Sequence, residues 1–254
     1  MRVATYNVHG CVGSDRRPSE SRIANVIAEV SADLVGLQEL DVGRARSESV
    51  NQPEIIAERL GWHCLFQPAI RLGDDLFGNA IISRFPLRLI QTVALAGSAP
   101  WYCSESRIAI WAEAITDTGP VQIINTHLGL GRSERLIQAQ QLAASVNGLA
   151  PGAAAMVLGD LNCLARSRPH RILASALGDR RAAAQLRRQL PTFPTSFPLL
   201  SVDHIFVNRA LRMERLHVHR TPAARLASDH FPLVADIARG HRAESILPER
   251  VQIS

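Results

Sequence analysis

Six short polar clusters interrupt the apolar runs of this 254-residue chain: Asn7 to His9, Gln38 with Glu39, Asn125 to His127, Asp160 with Asn162, Asp203 with His204, and Ser228 to His230. Five stand where a strand-like run ends and the sixth where one begins, so they leave a sheet at positions that can converge on one mouth. Singly, each has an ordinary reading: Asn7 and the GDLN of 159–162 as turns, Glu39 as a solvated carboxylate, His127 as a satisfied half-buried ring. Together they form an oxygen-rich set. Glu39, Asp160, Asp203 and Asp229, with the amides of Asn7 and Asn162, suit a hard cation, Mg²⁺ or Mn²⁺, better than zinc or copper. The imidazoles His127 and His230 add groups that titrate near neutrality, and a hard divalent ion plus histidine is the equipment of phosphoryl chemistry. Asp160 and Asn162, two apart, point to one side and can hold a water or a phosphoryl oxygen between them. Other reaction classes lack their motifs: there is no GxSxG elbow, no HExxH, no GxGxxG after the first strand, and no Walker loop in a chain without a single Lys.

The elements that must carry these residues follow from periodicity. Buried strands are expected at 2–8 and 33–39, joined by a helix that puts Ile23, Val26, Ile27 and Val30 on one face, with Ser19 or Ser21 as its N-cap. A short helix at 53–60 precedes five strands at 62–67, 78–83, 87–95, 107–115 and 121–127, and strands in succession imply antiparallel hairpins. The opening pattern then returns: a helix at 133–147 with Leu136, Ala139, Ala143 and Val146 as its stripe, a strand at 154–159, and a helix near 168–177. Strands at 202–207, 212–219 and 231–237 complete the chain before a polar tail, 239–254. With no repeat or linker, residues 1–238 form one α+β domain. Two mixed sheets packed face to face with helices on the outside account for the pattern.

Composition sets the remaining bounds. At 46% hydrophobic and 20% charged residues the chain can bury a full core unaided. Cys11, Cys64, Cys103 and Cys163 show no paired spacing, which argues for reduced thiols rather than disulfides or a zinc ribbon. A strand begins at the second residue, no apolar run is long enough to span a bilayer, and neither end carries a lipidation signal, so a cytoplasmic protein is expected. The formal charge of +5 is uneven: residues 163–225 hold 12 Arg against Asp179, Asp203 and Glu214, or +9, and the rest holds 16 Arg against 20 acids, or −4.

The order and spacing of the polar clusters resemble the endonuclease/exonuclease/phosphatase superfamily, the DNase I-like group. The resemblance rests on TYNVHG, LQELD, GNAIISRFPL, ESRIAIWAEA, INTHLGL, LGDLNC, SVDHIFV and ASDHFPLVADI, and covers residues 2–237. It implies a four-layer α/β/β/α sandwich with two mainly antiparallel sheets. It implies that Glu39 is the principal metal ligand, with Asn7 beside it and Asp229 in support. Asp160 would activate or position the attacking water, and Asn162 would fix that water and a phosphoryl oxygen. His230, oriented by Asp203, would contact the scissile phosphate, and His127 would donate to a nonbridging oxygen. His9 and Arg107 lie where they would meet substrate phosphate.

That resemblance leaves the substrate open. The pattern is most similar to small bacterial-type members described as metal-dependent hydrolases, some associated with phospholipid metabolism, which favours a phosphodiesterase acting on small or lipid-derived phosphate esters. The segment PTFPTSFPLLSVDHIFV has no Trp before Asp203, unlike many AP endonuclease-like sequences. A nuclease acting on DNA or RNA is the alternative. In the basic stretch, Arg166, Arg168, Arg171, Arg180, Arg181, Arg187 and Arg188 could track a nucleic acid or meet an anionic membrane surface peripherally, or simply face water in an Arg-rich chain. A catalytically inactive binding scaffold would be expected to have lost core acids or the last His, and all eight core positions are intact. Oligomeric state leaves no trace in the sequence.

Overall fold

The computed structural model describes residues 1–97, 105–178 and 190–240. Cys103, Arg180, Arg181, Arg187, Arg188 and nearly all of the expected tail lie outside those residues.

Two sheets are stacked. The first runs through β1 (Arg2–Asn7), β2 (Leu34–Val42), β3 (His63–Leu72), β4 (Asp75–Ser83), β10 (Leu211–Val218) and β11 (Leu233–Arg239), in the order β10-β11-β1-β2-β4-β3. The second has the order β5-β6-β7-β8-β9, from β5 (Leu87–Leu95), β6 (Arg107–Thr116), β7 (Gly119–His127), β8 (Ala154–Asp160) and β9 (Asp203–Val207). Pairing is antiparallel except for β1 with β2 and β7 with β8. Those two pairs need crossovers, which α1 (Glu20–Val30) and α3 (Arg132–Asn147) provide. Three apolar clusters separate the four layers. Val3, Leu34, Ile81, Ile110, Met156 and Ile205 fill the space between the sheets. Tyr6, Ile23, Ile27, Leu40, Ile56 and Phe231 seal the first sheet against α1, α2 (Gln52–Leu60) and α5 (Pro222–Ala227), while Leu142, Val157, Leu173 and Phe206 seal the second against α3 and α4 (Arg168–Leu177).

The local signals explain most of these elements. Ser19 accepts from the Arg22 amide as the cap of α1, and Ile23, Val26, Ile27 and Val30 are all buried. Asn51 caps α2, and Thr221 followed by Pro222 starts α5, a short helix that periodicity alone does not reveal. In α3 the buried face is Glu134, Gln138, Ala139, Leu142 and Val146, rotated from the expected stripe, with Leu136 and Ala143 only partly buried. The cause is polar: Gln138 accepts from the Gly129 amide, and Glu134 from that of Gly131. The β3–β4 hairpin is also longer than expected, because β3 is an edge strand that tolerates Pro68 at a register shift between Pro68 and Ile70.

Candidate active site

The two parallel units deliver the polar side chains singled out above to the same end of the sandwich. In β1, Asn7 ends the strand, donating from Nδ2 to Glu39 Oε1 at 2.8 Å and to Asp160 Oδ2 at 3.1 Å, while its Oδ1 accepts from the His9 amide at 3.0 Å. One amide thus ties an acid from each sheet together.

Glu39 reaches that amide through a bulge. Alternation along β2 sends Leu34, Gly36 and Gln38 between the sheets and Val35 and Leu37 toward the helices, where residue 39 should follow. Instead the β2–β4 register shifts between Leu37 and Leu40, Glu39 takes φ +62°, and Leu40 occupies the helix-facing core. The extra residue turns its carboxylate out of the sheet and into the mouth. A non-glycine residue in left-handed backbone is costly and persists where its surroundings over-determine it. Here Gln38 donates to Asn125 Oδ1 at 2.7 Å, and Asn125 Nδ2 donates to Leu37 O at 3.0 Å and Ala80 O at 2.8 Å, holding both lips of the bulge from the opposite sheet. Gly36 makes room for this bolt, since a Cβ there would lie 2.8 Å from Asn125 Oδ1 and overlap Leu158.

Asp160 arrives on a straight strand. It is buried, accepts from the Asn162 amide at 2.8 Å, and follows Gly159, whose φ of +149° and contact with the Thr126 carbonyl leave no space for a side chain. His127, at the end of β7, has Arg107 Nη1 at 3.1 Å from Nδ1 and Asn162 Nδ2 at 3.0 Å from Nε2. Burial and the Arg107 charge push its pKa down to about 3, so the ring is neutral. A neutral imidazole has one lone pair and one N–H, so it accepts from one of these two neighbours and turns its N–H toward the side of the other.

The third side comes from β9 and the turn before β11. His230 Nδ1 lies 2.9 Å from Asp203 Oδ2, its Nε2 faces Asp160 Oδ2 at 3.7 Å, and Phe193 packs on the ring at 4.7 Å between centroids. Ser228 donates to Asn7 O and receives the His230 amide, locking this turn to β1. Burial works against a charged His230, yet Asp203, Asp160 and Asp229 outweigh it and raise its pKa to about 10. The Asp160 pKa is also pushed up, to about 7, by burial and by Asp203, which for a carboxylate favours the neutral form. For Glu39, too, burial would raise the pKa, but the close imidazole of His9, the His127 ring and the hydrogen bond from Asn7 hold it well below the carboxylate range. His9 is half-exposed and stands between the acids, with Nδ1 3.6 Å from Glu39 Oε2 and 3.7 Å from Asp229 Oδ2. The Glu39 bond raises its pKa against some burial, with help from Asp229.

All ten residues singled out from sequence, Asn7, His9, Glu39, Arg107, His127, Asp160, Asn162, Asp203, Asp229 and His230, therefore meet at one place. Except for Asn7 and the buried Asp203, they line a single cleft of about 610 Å³. Its outer wall holds residues that no sequence motif marks: Arg44, Arg46, Phe77, Ile70 and Leu72, from the loop after β2 and the β3–β4 hairpin, with Glu105 beside Arg107. Nothing in the periodicity marks that wall, since it depends on how far the hairpin extends.

A family model described as endonuclease/exonuclease/phosphatase matches residues 4–230. The chain belongs to that family. It is 28% identical, over 249 residues covering 93% of this chain and 96% of its relative, to the uncharacterized protein YbhP of Escherichia coli K12. Among solved structures it is similar to an endonuclease/exonuclease/phosphatase from Beutenbergia cavernae (TM-score 0.73, 21% identity, 94% of this chain and 72% of that one). It is also similar to the mannosyl-6-phosphatase Bt3783 of Bacteroides thetaiotaomicron (TM-score 0.71, 20% identity, 94% and 99%). These likenesses show the four-layer fold. Family members are hydrolases of phosphoesters that generally use a divalent metal, and no helix among the described residues is long and apolar enough to cross a membrane.

Proposed function

We propose that this chain is a Mg²⁺- or Mn²⁺-dependent phosphoesterase, a phosphodiesterase acting on small or lipid-derived esters by direct attack of water. The observation that carries the reading is the bridged acid pair, Glu39 kept ionised and Asp160 kept ready to take a proton, opposite the His230–Asp203 dyad. Two neighbouring carboxylates set apart in this way divide the work of ligand and base.

The donor set fits a hard cation. The imidazole of His9 draws positive charge between Glu39 and Asp229, where the surrounding oxygens would otherwise repel one another. Glu39 and Asp229 would hold the ion, with Asn7 orienting Glu39 through its Nδ2. Asp160, Asp203 and His230 also bring ligand atoms within 4.8 Å of one another, but His230 Nδ1 and Asp203 Oδ2 are already spent on each other. A bound divalent ion would offset the charge on the phosphoryl oxygens and favour ionisation of water. Asp160 then takes the water proton while Asn162, fixed by Leu128 O at 2.9 Å, orients that water. His127 donates from Nε2 to a nonbridging oxygen when Asn162 Nδ2, which also has Leu128 O at 2.9 Å, gives up that nitrogen. His230, cationic and aligned by Asp203, donates from Nε2 toward the oxygens where charge develops.

Turnover with Mg²⁺ and Mn²⁺ on bis-p-nitrophenyl phosphate, glycerophosphodiesters, sphingomyelin, plasmid DNA, abasic duplex and RNA tests this. Metal-dependent cleavage of the small or lipid esters, lost in His230→Ala, is the expected result. Cleavage confined to nucleic acids would replace the substrate class, and a folded chain that binds neither metal nor phosphate esters would be a scaffold.

A further inference from the structure

We infer that the outer wall of the cleft is a second anion-binding subsite, so that the substrate carries a further phosphate or carboxylate remote from the scissile ester. The inference rests on the phosphoesterase reading and names a substrate class for it. Arg44 and Arg46 stand on either side of one buried carboxylate, Asp41, which is 1% exposed. Arg46 grips it with Nε at 2.7 Å and Nη2 at 2.8 Å, whereas Arg44 Nη1 lies 3.6 Å away. One guanidinium suffices to neutralise one carboxylate, and Glu105, which also lines the cleft, is paired with Arg107 Nη2 at 2.9 Å, so Arg44 and Arg46 against Asp41 leave one positive charge in the wall. Both planes also lie over the Phe77 ring, at 5.6 Å for Arg44 and 5.2 Å for Arg46.

Fixing on two sides has a cost in side-chain entropy that an ordinary solvated arginine avoids, and it matters for recognition because a held guanidinium loses little more on binding. Arg46 spends only its Nε and Nη2 on Asp41, leaving Nη1 without a hydrogen bond among the described residues. Both arginines line the cleft that holds Glu39, Asp160 and His230 at its floor. An anion on the wall and a phosphoryl group on the floor are the complementary arrangement. Phe77, Ile70 and Leu72 offer apolar contact to whatever joins the two charged groups.

The test is calorimetric titration, in Mg²⁺, of glucose 1,6-bisphosphate and of glucose 6-phosphate into the whole chain. The bisphosphate is expected to bind at least about 10-fold tighter, the scale of one charge-assisted bond. In Arg44→Gln/Arg46→Gln that ratio should fall to near one. Because Asp41 would lose its partners, Asp41→Asn is added in a second variant, and a cooperative thermal transition confirms folding of both. Equal affinity for the two sugars in the unaltered chain, together with no preference between phosphatidylinositol and phosphatidylinositol 4-phosphate vesicles, overturns the subsite, as does loss of both sugars in equal measure in the arginine variant. Vesicles of phosphatidylcholine with phosphatidylinositol or phosphatidylinositol 4-phosphate distinguish a lipid headgroup from a free ester. Arginine-dependent preference for the second vesicle, for the soluble bisphosphate, or for both supports the subsite; no preference for either overturns it. Hydrolysis of bis-p-nitrophenyl phosphate is measured alongside: selectivity without metal-dependent hydrolysis sinks the phosphoesterase reading alone, and hydrolysis without selectivity sinks the subsite alone.

Discussion

The β1–α1–β2 unit and the β7–α3–β8 unit use one plan to opposite electrostatic ends. In each, the first strand of a parallel pair ends on a nitrogen-bearing side chain, Asn7 or His127, and the second carries an acid, Glu39 or Asp160. Glu39 comes off a bulge, partly open to solvent and beside His9, and its carboxylate is held well below the ordinary range. Asp160 comes off a regular strand, buried beside Asp203, and is pushed up to about 7. The same residue chemistry gives a carboxylate held ionised in one unit and one that titrates near neutrality in the other, because backbone geometry decides how much water and which neighbours each meets.

If that division holds, removing each acid breaks a different step. Asp160→Asn should lower kcat by about 10²–10⁴-fold even at saturating metal, the range of a lost general base. Glu39→Gln should instead raise the metal concentration needed for half-maximal turnover, by about 10–100-fold, with part of kcat recovered at high Mn²⁺. Metal titrations of both variants decide it; identical metal dependence in the two would show that the acids act as one unit.

The supports of the two units should fail by different routes. Gly159→Ala forces a side chain into the Thr126 carbonyl at a backbone angle that L residues avoid, and is expected to cost about 3 kcal/mol or more in chemical denaturation. Asn125→Ala removes a buried donor to the Leu37 and Ala80 carbonyls and the acceptor of Gln38, at about 2–3 kcal/mol, and releases the bulge, so activity should fall further than stability alone explains.

The acids should also shift stability in opposite senses without metal. A carboxylate whose folded pKa is raised contributes stability below its unfolded value, and loses it as pH rises through the folded one. In chelator, Asp160→Asn is therefore expected to melt a few degrees higher than the parent at pH 8, with the difference gone near pH 4. Glu39, held low, contributes above its unfolded value and loses that contribution only in strong acid, so Glu39→Gln should melt lower at pH 8. Scanning calorimetry at two pH values reads both signs, and equal signs would contradict the comparison.

The sequence exposed these units unevenly. The strand–helix–strand order, the cap at Ser19 and the residues that meet at the mouth follow from period, turn chemistry and motif order, all local signals. The bulge does not, since alternation in LVGLQELDV is broken by a backbone angle that Glu39 does not advertise. Gln38 and Asn125 read as more polar residues near a site, and only packing between sheets reveals that they brace it. Arg44 and Arg46 were lost in a general excess of arginine, because what distinguishes them is Asp41 beneath and Phe77 alongside.

The smallest expected effect concerns how each half of the site is kept in place. His127 is wedged between the Arg107 guanidinium and the Asn162 amide, one on each ring nitrogen, whereas His230 has one bond to Asp203 and a ring, Phe193, against its face. Phe193 is itself only partly buried, on a segment joined to the turn before β11 by the Thr195 amide bonded to Asp229 O at 2.8 Å and the Phe231 amide bonded to Thr192 O at 2.9 Å. Phe193→Leu keeps an apolar contact and should leave turnover within about twofold, while Phe193→Ala removes the face that keeps water from the dyad and should cost about 3–10-fold in kcat, the scale of one modest aromatic contact. The loss should appear as a shift of the alkaline limb of the pH–rate profile, because better hydration of His230 weakens its coupling to Asp203. An unchanged profile with lower kcat would assign Phe193 to substrate contact instead.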